Sequence, residues 1–150
     1  MIDKQVFARL VNESEREGIR RYVVGAVIAK DHHILLLERK KNDFMGGVFE
    51  LPSGEVEGSE SLDDALGREI MEETGLRVKD IKEYLGCFDY ISRSREKTRQ
   101  FNFAVIIEGS LEIRLREHAS YVWVSRDELH QYQVTESVQR VLNFAFQKEK

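Results

Sequence analysis

The sequence contains a single cysteine, Cys87, and a single proline, Pro52, among its 150 residues. One cysteine can form neither an intrachain disulfide nor a thiolate zinc site, so both are excluded. No apolar run is long enough to span a membrane, and residues 1–18 carry acids where a signal peptide would be apolar. These absences indicate a soluble protein without a membrane partner, which we expect in the cytoplasm.

An excess of positive charge is also missing. The formal net charge is −4, and basic residues are interspersed with acidic ones. Proteins that bind DNA or RNA normally present a basic surface, so a nucleic-acid polymer is not an expected partner. A small anionic ligand is compatible with this charge if a bound cation supplies the positive charge.

The hydrophobic pattern predicts one domain over residues 1–150. Apolar residues make up 41% of the chain, which is enough for a core. Helical spacing indicates a short N-terminal helix over residues 3–17 and a C-terminal helix over 135–148. Strand patterns occupy residues 22–29, 34–40, 78–91, 100–107 and 121–124. This order of elements predicts an α/β sandwich with a mixed β-sheet.

The most informative stretch runs from Gly54 to Leu76 and reads GEVEGSESLDDALGREIMEETGL. Ser59 or Ser61 is a suitable N-cap, and Gly75 is a typical helix stop. Between them an apolar stripe has helical spacing and consists of Leu62, Ala65, Leu66 and Ile70. A helix with one buried face is therefore expected here.

Acidic residues fall on the apolar side of this helix. At about 100° per residue, Glu69 and Glu73 project within the arc that carries Leu62 and Leu66. Glu72 lies on the flank of the same arc. An ordinary amphipathic helix would direct these acids to solvent, and like charges three or four residues apart repel each other. The arrangement indicates a cation between the carboxylates.

The ligand chemistry narrows the identity of the cation. Carboxylate oxygens suit Mg²⁺ or Mn²⁺, whereas zinc prefers His or Cys, and all four histidines lie outside the stretch. The spaced aspartates of a calcium-binding loop are absent as well. A carboxylate-bound Mg²⁺ can activate water and neutralise a leaving phosphate, which favours hydrolysis of a phosphoanhydride bond.

The same stretch resembles the Nudix box. Its fixed positions are occupied by Gly54, Glu60, Arg68, Glu69, Ile70, Glu72, Glu73, Gly75 and Leu76. The strand hairpin and the segments GGVFELPSG and EHASYVWV extend the resemblance from the box, residues 54–76, to most of residues 20–146. It implies a Nudix α/β/α sandwich that hydrolyses a nucleoside diphosphate linked to another group, with Mg²⁺ or Mn²⁺.

The resemblance also implies roles for individual residues of the box. Glu69, Glu72 and Glu73 would be metal ligands, and Glu72 and Glu73 would be catalytic. The carbonyl of Ser53 would add a main-chain ligand. Arg68 would take part in catalysis by orienting the glutamates through charged hydrogen bonds. Three residues would be structural within the motif: Gly54, Glu60 and Gly75.

Residues outside the box complete the expected site. Arg39, at the end of the second predicted strand, matches a position that often reaches substrate phosphates. Glu117 lies six residues before Trp123, where MutT-like members place a further metal ligand or general base. The alternative for Glu117 is a solvated loop acid. Thr135, or its neighbour Glu136, stands where MutT-like members carry a base-reading Asn, so base specificity is left open.

Several substrates remain compatible with the resemblance. A nucleoside triphosphate pyrophosphatase that releases the monophosphate is the main hypothesis, with oxidised nucleotides as one option. ADP-ribose or another nucleoside diphosphate sugar is an alternative, and so is a dinucleoside polyphosphate, for which Tyr90 lies somewhat early. A non-catalytic nucleotide sensor is the alternative from another class, although no box glutamate is lost. A homodimer is compatible with all of them.

Weaker signals have an ordinary structural explanation beside the functional one. Five aromatics are candidates for stacking on a base, although strand aromatics are more often core: Phe44, Tyr90, Phe101, Phe103 and Tyr121. A basic cluster could contact a polyphosphate, although an exposed hairpin tip is the simpler interpretation: Arg93, Arg95, Lys97 and Arg99. Cys87, on a predicted strand, is expected to be buried.

Overall fold

A computed structural model describes residues 2–148 of the chain. The helices are α1 (Gln5–Arg16), α2 (Leu62–Thr74) and α3 (Glu136–Lys148). The strands are β1 (Arg21–Lys30), β2 (His33–Glu38), β3 (Phe49–Glu50), β4 (Ser53–Glu55), β5 (Arg77–Ile91), β6 (Lys97–Glu108) and β7 (Ser120–Ser125). A 3₁₀ helix spans Arg126–Gln131. Helix α1 lies within the range expected from its apolar spacing.

The strands form one mixed sheet that is centred on β1. The main path is β3-β2-β1-β6-β5, with β4 joined to β1 and β7 joined to β2. Strands β1 and β6 run parallel, and the other pairs are antiparallel. The first half of β1 pairs with β4, whereas its last residues form the hairpin with β2.

Alternate side chains of β1 enter two cores on opposite faces of the sheet. Val24 and Ala26 pack with Leu66 of α2 and Phe7 of α1. On the other face, Val27 belongs to a cluster with residues of α3. Burial on both faces explains why the central strands are continuous apolar runs rather than alternating ones. The three layers confirm the predicted α/β/α sandwich with a mixed sheet.

Local capping sets the bounds of α2. The hydroxyl oxygen of Ser61 accepts a hydrogen bond from the N–H of Asp64 at 3.4 Å. At the other end, Gly75 has a φ of 76° and donates its N–H to the carbonyl of Met71. A residue with a side chain would be strained in this left-handed conformation, so the glycine ends the helix here.

The prediction that Cys87 is buried is wrong. The register of β5 against β6 shifts between Tyr84 and Cys87, where Gly86 has a φ of 96°. This bulge interrupts the alternation of β5, an edge strand, and leaves the thiol exposed. Phe101 and Phe103, by contrast, are core residues, as the ordinary explanation of strand aromatics expects.

No helix in the described part of the chain is both long and apolar enough to cross a membrane.

Candidate active site

A cleft of about 890 Å³ lies on the face of the sheet that carries α3. Strands β1, β3, β4, β5 and β6 contribute to its lining, together with the end of α2 and the start of α3. Loops also contribute to the lining: one between β2 and β3, one between β5 and β6, and one before β7. Most of the residues predicted for the site lie in or beside this cleft.

Glu73 brings a buried carboxylate into the cleft. Its Oε1 accepts the main-chain N–H of Ser53 at 2.8 Å, and its Oε2 lies 3.8 Å from Nδ1 of His118. Burial raises the pKa of Glu73 to about 7, although His118 and the Ser53 N–H act in the opposite direction. A nearby cation would favour the ionised carboxylate and lower this pKa again.

Glu69 packs directly against Gly54. A Cβ built at Gly54 would overlap the Glu69 carboxylate, so no other residue fits at this position without displacing it. Burial raises the pKa of Glu69, against the effect of Arg68, which donates to its carboxylate at 2.8 Å. Gly54 therefore allows β4 to lie close to α2.

Arg68 connects α2 to the loop before it. Its guanidinium donates to Glu60 at 2.7 and 2.9 Å, to Glu69 at 2.8 Å and to Glu72 at 3.3 Å. It also donates to the carbonyl of Glu55 at 3.0 Å. The Arg68 hydrogen bond, helped by the Glu57 N–H, lowers the pKa of Glu60 to about 2. One side chain thus orients Glu69 and Glu72 and secures the loop.

The donor chemistry of this region fits a hard divalent cation. Glu69, Glu72 and Glu73 offer carboxylate oxygens from one helix, beside the main chain of Ser53. Within residues 2–148 no three His, Cys, Asp or Glu side chains are grouped closely enough to hold a metal ion. The carboxylates of Glu69 and Glu72 accept from Arg68, and that of Glu73 accepts from the Ser53 N–H. The buried Glu73 carboxylate and the Gly54 cradle under Glu69 are consistent with Mg²⁺ or Mn²⁺.

Two residues of the site are absent from the sequence-based prediction. Glu50, on β3, has an Oε2 that lies 2.8 Å from Nε2 of His118 and an Oε1 that accepts from Arg39 at 3.1 Å. His118 is 7% exposed, and burial alone would lower its pKa. The hydrogen bond to Glu50 and the charge of Glu73 outweigh burial, so the pKa of His118 is raised. The result is a chain of contacts from Arg39 through Glu50 and His118 to Glu73.

The predicted residues outside the box also line the cleft. Arg39 is held by the carbonyl of Phe44 at 2.6 Å as well as by Glu50. Glu117 has an exposed side chain at the cleft. Thr135 caps α3, because its hydroxyl oxygen accepts the N–H of Val138 at 3.3 Å.

The structure separates the members of the basic cluster. Arg99 turns away from the cleft and pairs with Asp89 at 2.7 Å and Glu17 at 3.1 Å. Arg93 does line the cleft, where its guanidinium lies 5.1 Å from the ring centre of Phe44. Phe44 and Tyr90 are the two candidate stacking residues found in the cleft lining.

Comparisons with known proteins identify the family of this fold and site. The profile of the NUDIX domain matches residues 19–143. The chain is 37% identical over 93 residues to an ADP-ribose pyrophosphatase of Methanocaldococcus jannaschii, a match that covers 59% of this chain and 54% of that protein. It is 33% identical over 110 residues to the CTP pyrophosphohydrolase of Escherichia coli, covering 73% of this chain and 79% of the relative.

A solved structure has the same architecture. The MutT NUDIX hydrolase from Burkholderia pseudomallei superposes with a TM-score of 0.71 at 29% identity, over 82% of this chain and 95% of that one. The matched region includes the whole box and the strands that form the cleft. The chain therefore belongs to the NUDIX family and is a Nudix hydrolase that acts on pyrophosphate bonds.

Proposed function

We propose that this hydrolase cleaves a nucleoside triphosphate to the monophosphate and pyrophosphate. The observation that carries the proposal is the buried Glu73 carboxylate, held by the Ser53 N–H in a cleft that also contains Arg39. The cleft, at about 890 Å³, is in the range of single small-ligand sites. Similarity to a CTP pyrophosphohydrolase over 79% of its length supports a triphosphate substrate.

The cation of this reaction would be Mg²⁺ or Mn²⁺. Glu69, Glu72 and Glu73 would hold it, with the Ser53 carbonyl as a main-chain ligand. When bound, it supplies charge for the leaving phosphate and activates water. Arg68 keeps the acids on α2 oriented through its hydrogen bonds.

The other residues bind the substrate and handle the proton. Arg39 would contact a phosphate, since its guanidinium is held at the cleft by Glu50 and Phe44. Glu117, exposed in the cleft, would accept the proton of the attacking water or add a further carboxylate to the cation. Thr135, at the N-terminus of α3 in the cleft lining, would lie beside the nucleobase.

A substrate panel tests the proposal. Purified protein with Mg²⁺ or Mn²⁺ is assayed against nucleoside triphosphates, oxidised nucleoside triphosphates, ADP-ribose and dinucleoside polyphosphates, with EDTA as the metal-free control. We expect the highest kcat/KM for a triphosphate, with pyrophosphate as the product and no turnover in EDTA. Inorganic phosphate as the product, or metal-independent turnover, would contradict the proposal.

ADP-ribose is the second candidate substrate. The 37% identity to an ADP-ribose pyrophosphatase favours it, although that match spans only 54% of the relative. In the panel this candidate predicts AMP release from ADP-ribose with a kcat/KM above that of every triphosphate. A protein that binds nucleotides but turns over none would indicate a sensor.

Glu117 is tested by the variant Glu117→Gln. If Glu117 accepts the proton of the attacking water, kcat should fall by about 10²-fold or more with little change in melting temperature, because the side chain is exposed. Glu112→Gln is a matched control, since Glu112 is also exposed on the segment between β6 and β7 but does not line the cleft. Unchanged kcat and metal dependence in Glu117→Gln would remove Glu117 from the site.

A further inference from the structure

Two buried amides lie on the cleft side of β6. Gln100 is 7% exposed and lines the cleft, and Asn102 is fully buried behind it. Gly25 on the neighbouring strand β1 leaves room for both side chains. A Cβ at Gly25 would lie 2.5 Å from Nε2 of Gln100 and 2.6 Å from Oδ1 of Asn102. The amides therefore occupy a space that any larger residue at this position would fill.

The hydrogen bonds fix the orientation of both amides. Nδ2 of Asn102 donates to the carbonyl of Gly86 at 3.1 Å and to the carbonyl of Gln100 at 3.4 Å. Its Oδ1 accepts from Nε2 of Gln100 at 2.9 Å. Main-chain carbonyls only accept hydrogen bonds. Rotating the Asn102 amide by 180° would place its Oδ1 against these carbonyl oxygens, and rotating the Gln100 amide would place Oε1 against Oδ1 of Asn102. Oε1 of Gln100 is thus held as an acceptor.

This acceptor faces the cleft rather than another group of the fold. No side chain or main-chain N–H of residues 2–148 donates to Oε1 of Gln100. His118 Nδ1 is the buried unpaired side-chain atom of residues 2–148, whereas Oε1 of Gln100 reaches the open cleft, where solvent or a bound molecule donates to it. The cleft is the open side of Gln100, so a donor would come from a molecule bound there.

The position of Gln100 suits a nucleobase rather than a phosphate. In the sheet, Gln100 pairs with Val23 of β1, and Val23 pairs with Glu55 of β4, the strand that begins at Ser53. Two strand spacings amount to about 10 Å, which leaves room for a sugar and phosphate between the carboxylates and the amide. Phe88 and Val138 add apolar lining to the cleft. A neutral acceptor would repel a phosphate but would accept an N–H from a base.

We propose that Oε1 of Gln100 is a specificity-determining acceptor that selects nucleotides whose base presents an amino group at the cleft floor. The inference rests on the proposed function and deepens it. An amino base donates to Oε1, whereas a base with a carbonyl in the same place sets oxygen against oxygen. Such a site rejects the wrong base strongly, because the mismatch leaves buried polar groups unpaired.

The first test uses the protein without substitution. Two substrate pairs exchange an amino group for a carbonyl at one ring carbon, with an N–H added at the neighbouring ring nitrogen of the carbonyl member: CTP with UTP, and ATP with ITP. We expect the amino member of at least one pair to have a kcat/KM about 10-fold or more above its partner, mostly through KM. Equal kcat/KM within both pairs overturns the inference but leaves the proposed function in place. Absence of triphosphate turnover would instead contradict the proposed function.

The second test assigns the preference to Gln100. Gln100→Met keeps the length of the side chain and removes the acceptor, so the amino-to-carbonyl ratio of kcat/KM should fall to within about 3-fold. Gly25→Ala should reduce the ratio as well, since its Cβ displaces both amides. Gln139→Met is the matched control, because Gln139 lies on α3 outside the cleft lining and bonds to Asn143.

Melting temperatures and nucleotide binding separate a loss of base recognition from damage to the fold. Melting temperatures identify a variant that fails to fold, and binding of CMP and UMP to the unsubstituted protein then measures the same preference without turnover. Tighter binding of CMP than of UMP, or of AMP than of IMP, supports the inference. Equal binding within both pairs contradicts it. A preserved amino preference in a folded Gln100→Met protein would show that another group reads the base.

Discussion

Glu73→Gln is expected to remove most of the activity and to make the metal-free protein more stable above pH 7. The amide cannot supply the charge that a divalent cation requires, so kcat with Mg²⁺ should fall by at least about 10²-fold. Steady-state assays with the preferred substrate of the panel measure this loss. Near-normal Mg²⁺-dependent turnover in a folded Glu73→Gln protein would exclude Glu73 as a ligand.

The gain in stability follows from the pKa of Glu73. Burial raises this pKa from 4.5 to about 7, so the folded state binds more protons than the unfolded state between these values. The free energy of unfolding therefore decreases as pH rises from about 4.5 to about 7. A glutamine avoids this penalty, and we expect the variant to be more stable by about 1–3 kcal/mol at pH 8 and by little at pH 4.5.

Urea unfolding in EDTA at several pH values measures the difference. Glu72→Gln is the matched control: it should also lose activity, but its carboxylate is exposed, so it should not gain stability at pH 8. Parallel pH profiles for the unsubstituted protein and Glu73→Gln would show that burial of Glu73 carries no such penalty. Added Mg²⁺ should stabilise the unsubstituted protein more than Glu73→Gln.

Arg68→Gln is expected to have the second large effect. Loss of the guanidinium leaves Glu60, Glu69 and Glu72 without their shared partner. Since misplacement of a site by about 1 Å can cost 10²-fold in rate, we expect kcat to fall by about 10²-fold. The melting temperature should fall as well, because the loop before α2 loses its connection to the helix.

Arg99→Gln separates these two effects. Arg99 also bridges two acids, Glu17 and Asp89, but it lies outside the cleft lining. It should lower the melting temperature and leave kcat and the Mg²⁺ dependence unchanged. Equal kcat losses in both variants, measured at a temperature where both are folded, would indicate that Arg68 acts only through overall stability.

The parts of the site that were predictable from sequence depend on neighbours along the chain. Helix α2 has its cap at Ser61 and its stop at Gly75, so the directions of its side chains follow from helical geometry. Glu73 and Glu69 were expected on the apolar side, and their side chains are 18% and 13% exposed, whereas that of Glu72 is 41% exposed. A local motif with strong periodicity thus predicts which face its residues occupy.

The remaining parts depend on contacts between distant segments. Glu50 and His118 are 68 residues apart and meet only when β3 and the segment before β7 come together. Neither residue belongs to a repeating pattern, and a lone acid or histidine is most often at the surface. The orientation of Gln100 and the exposure of Cys87 both depend on the bulge at Gly86. The bulge places the Gly86 carbonyl beside Asn102, which bonds to Gln100, and it changes the face of β5 on which the following side chains lie. Periodicity does not predict such a bulge.

The arrangement of strands around β1 links two properties of the enzyme. Val23 of β1 lies between Glu55 of β4 and Gln100 of β6, so the proposed cation site and the proposed base site share one backbone. A change that shifts β1 would alter both selectivity and turnover. Divergence toward new substrates is therefore easier through the rim, for example at Phe44 or Arg93, where the lining is independent of that strand.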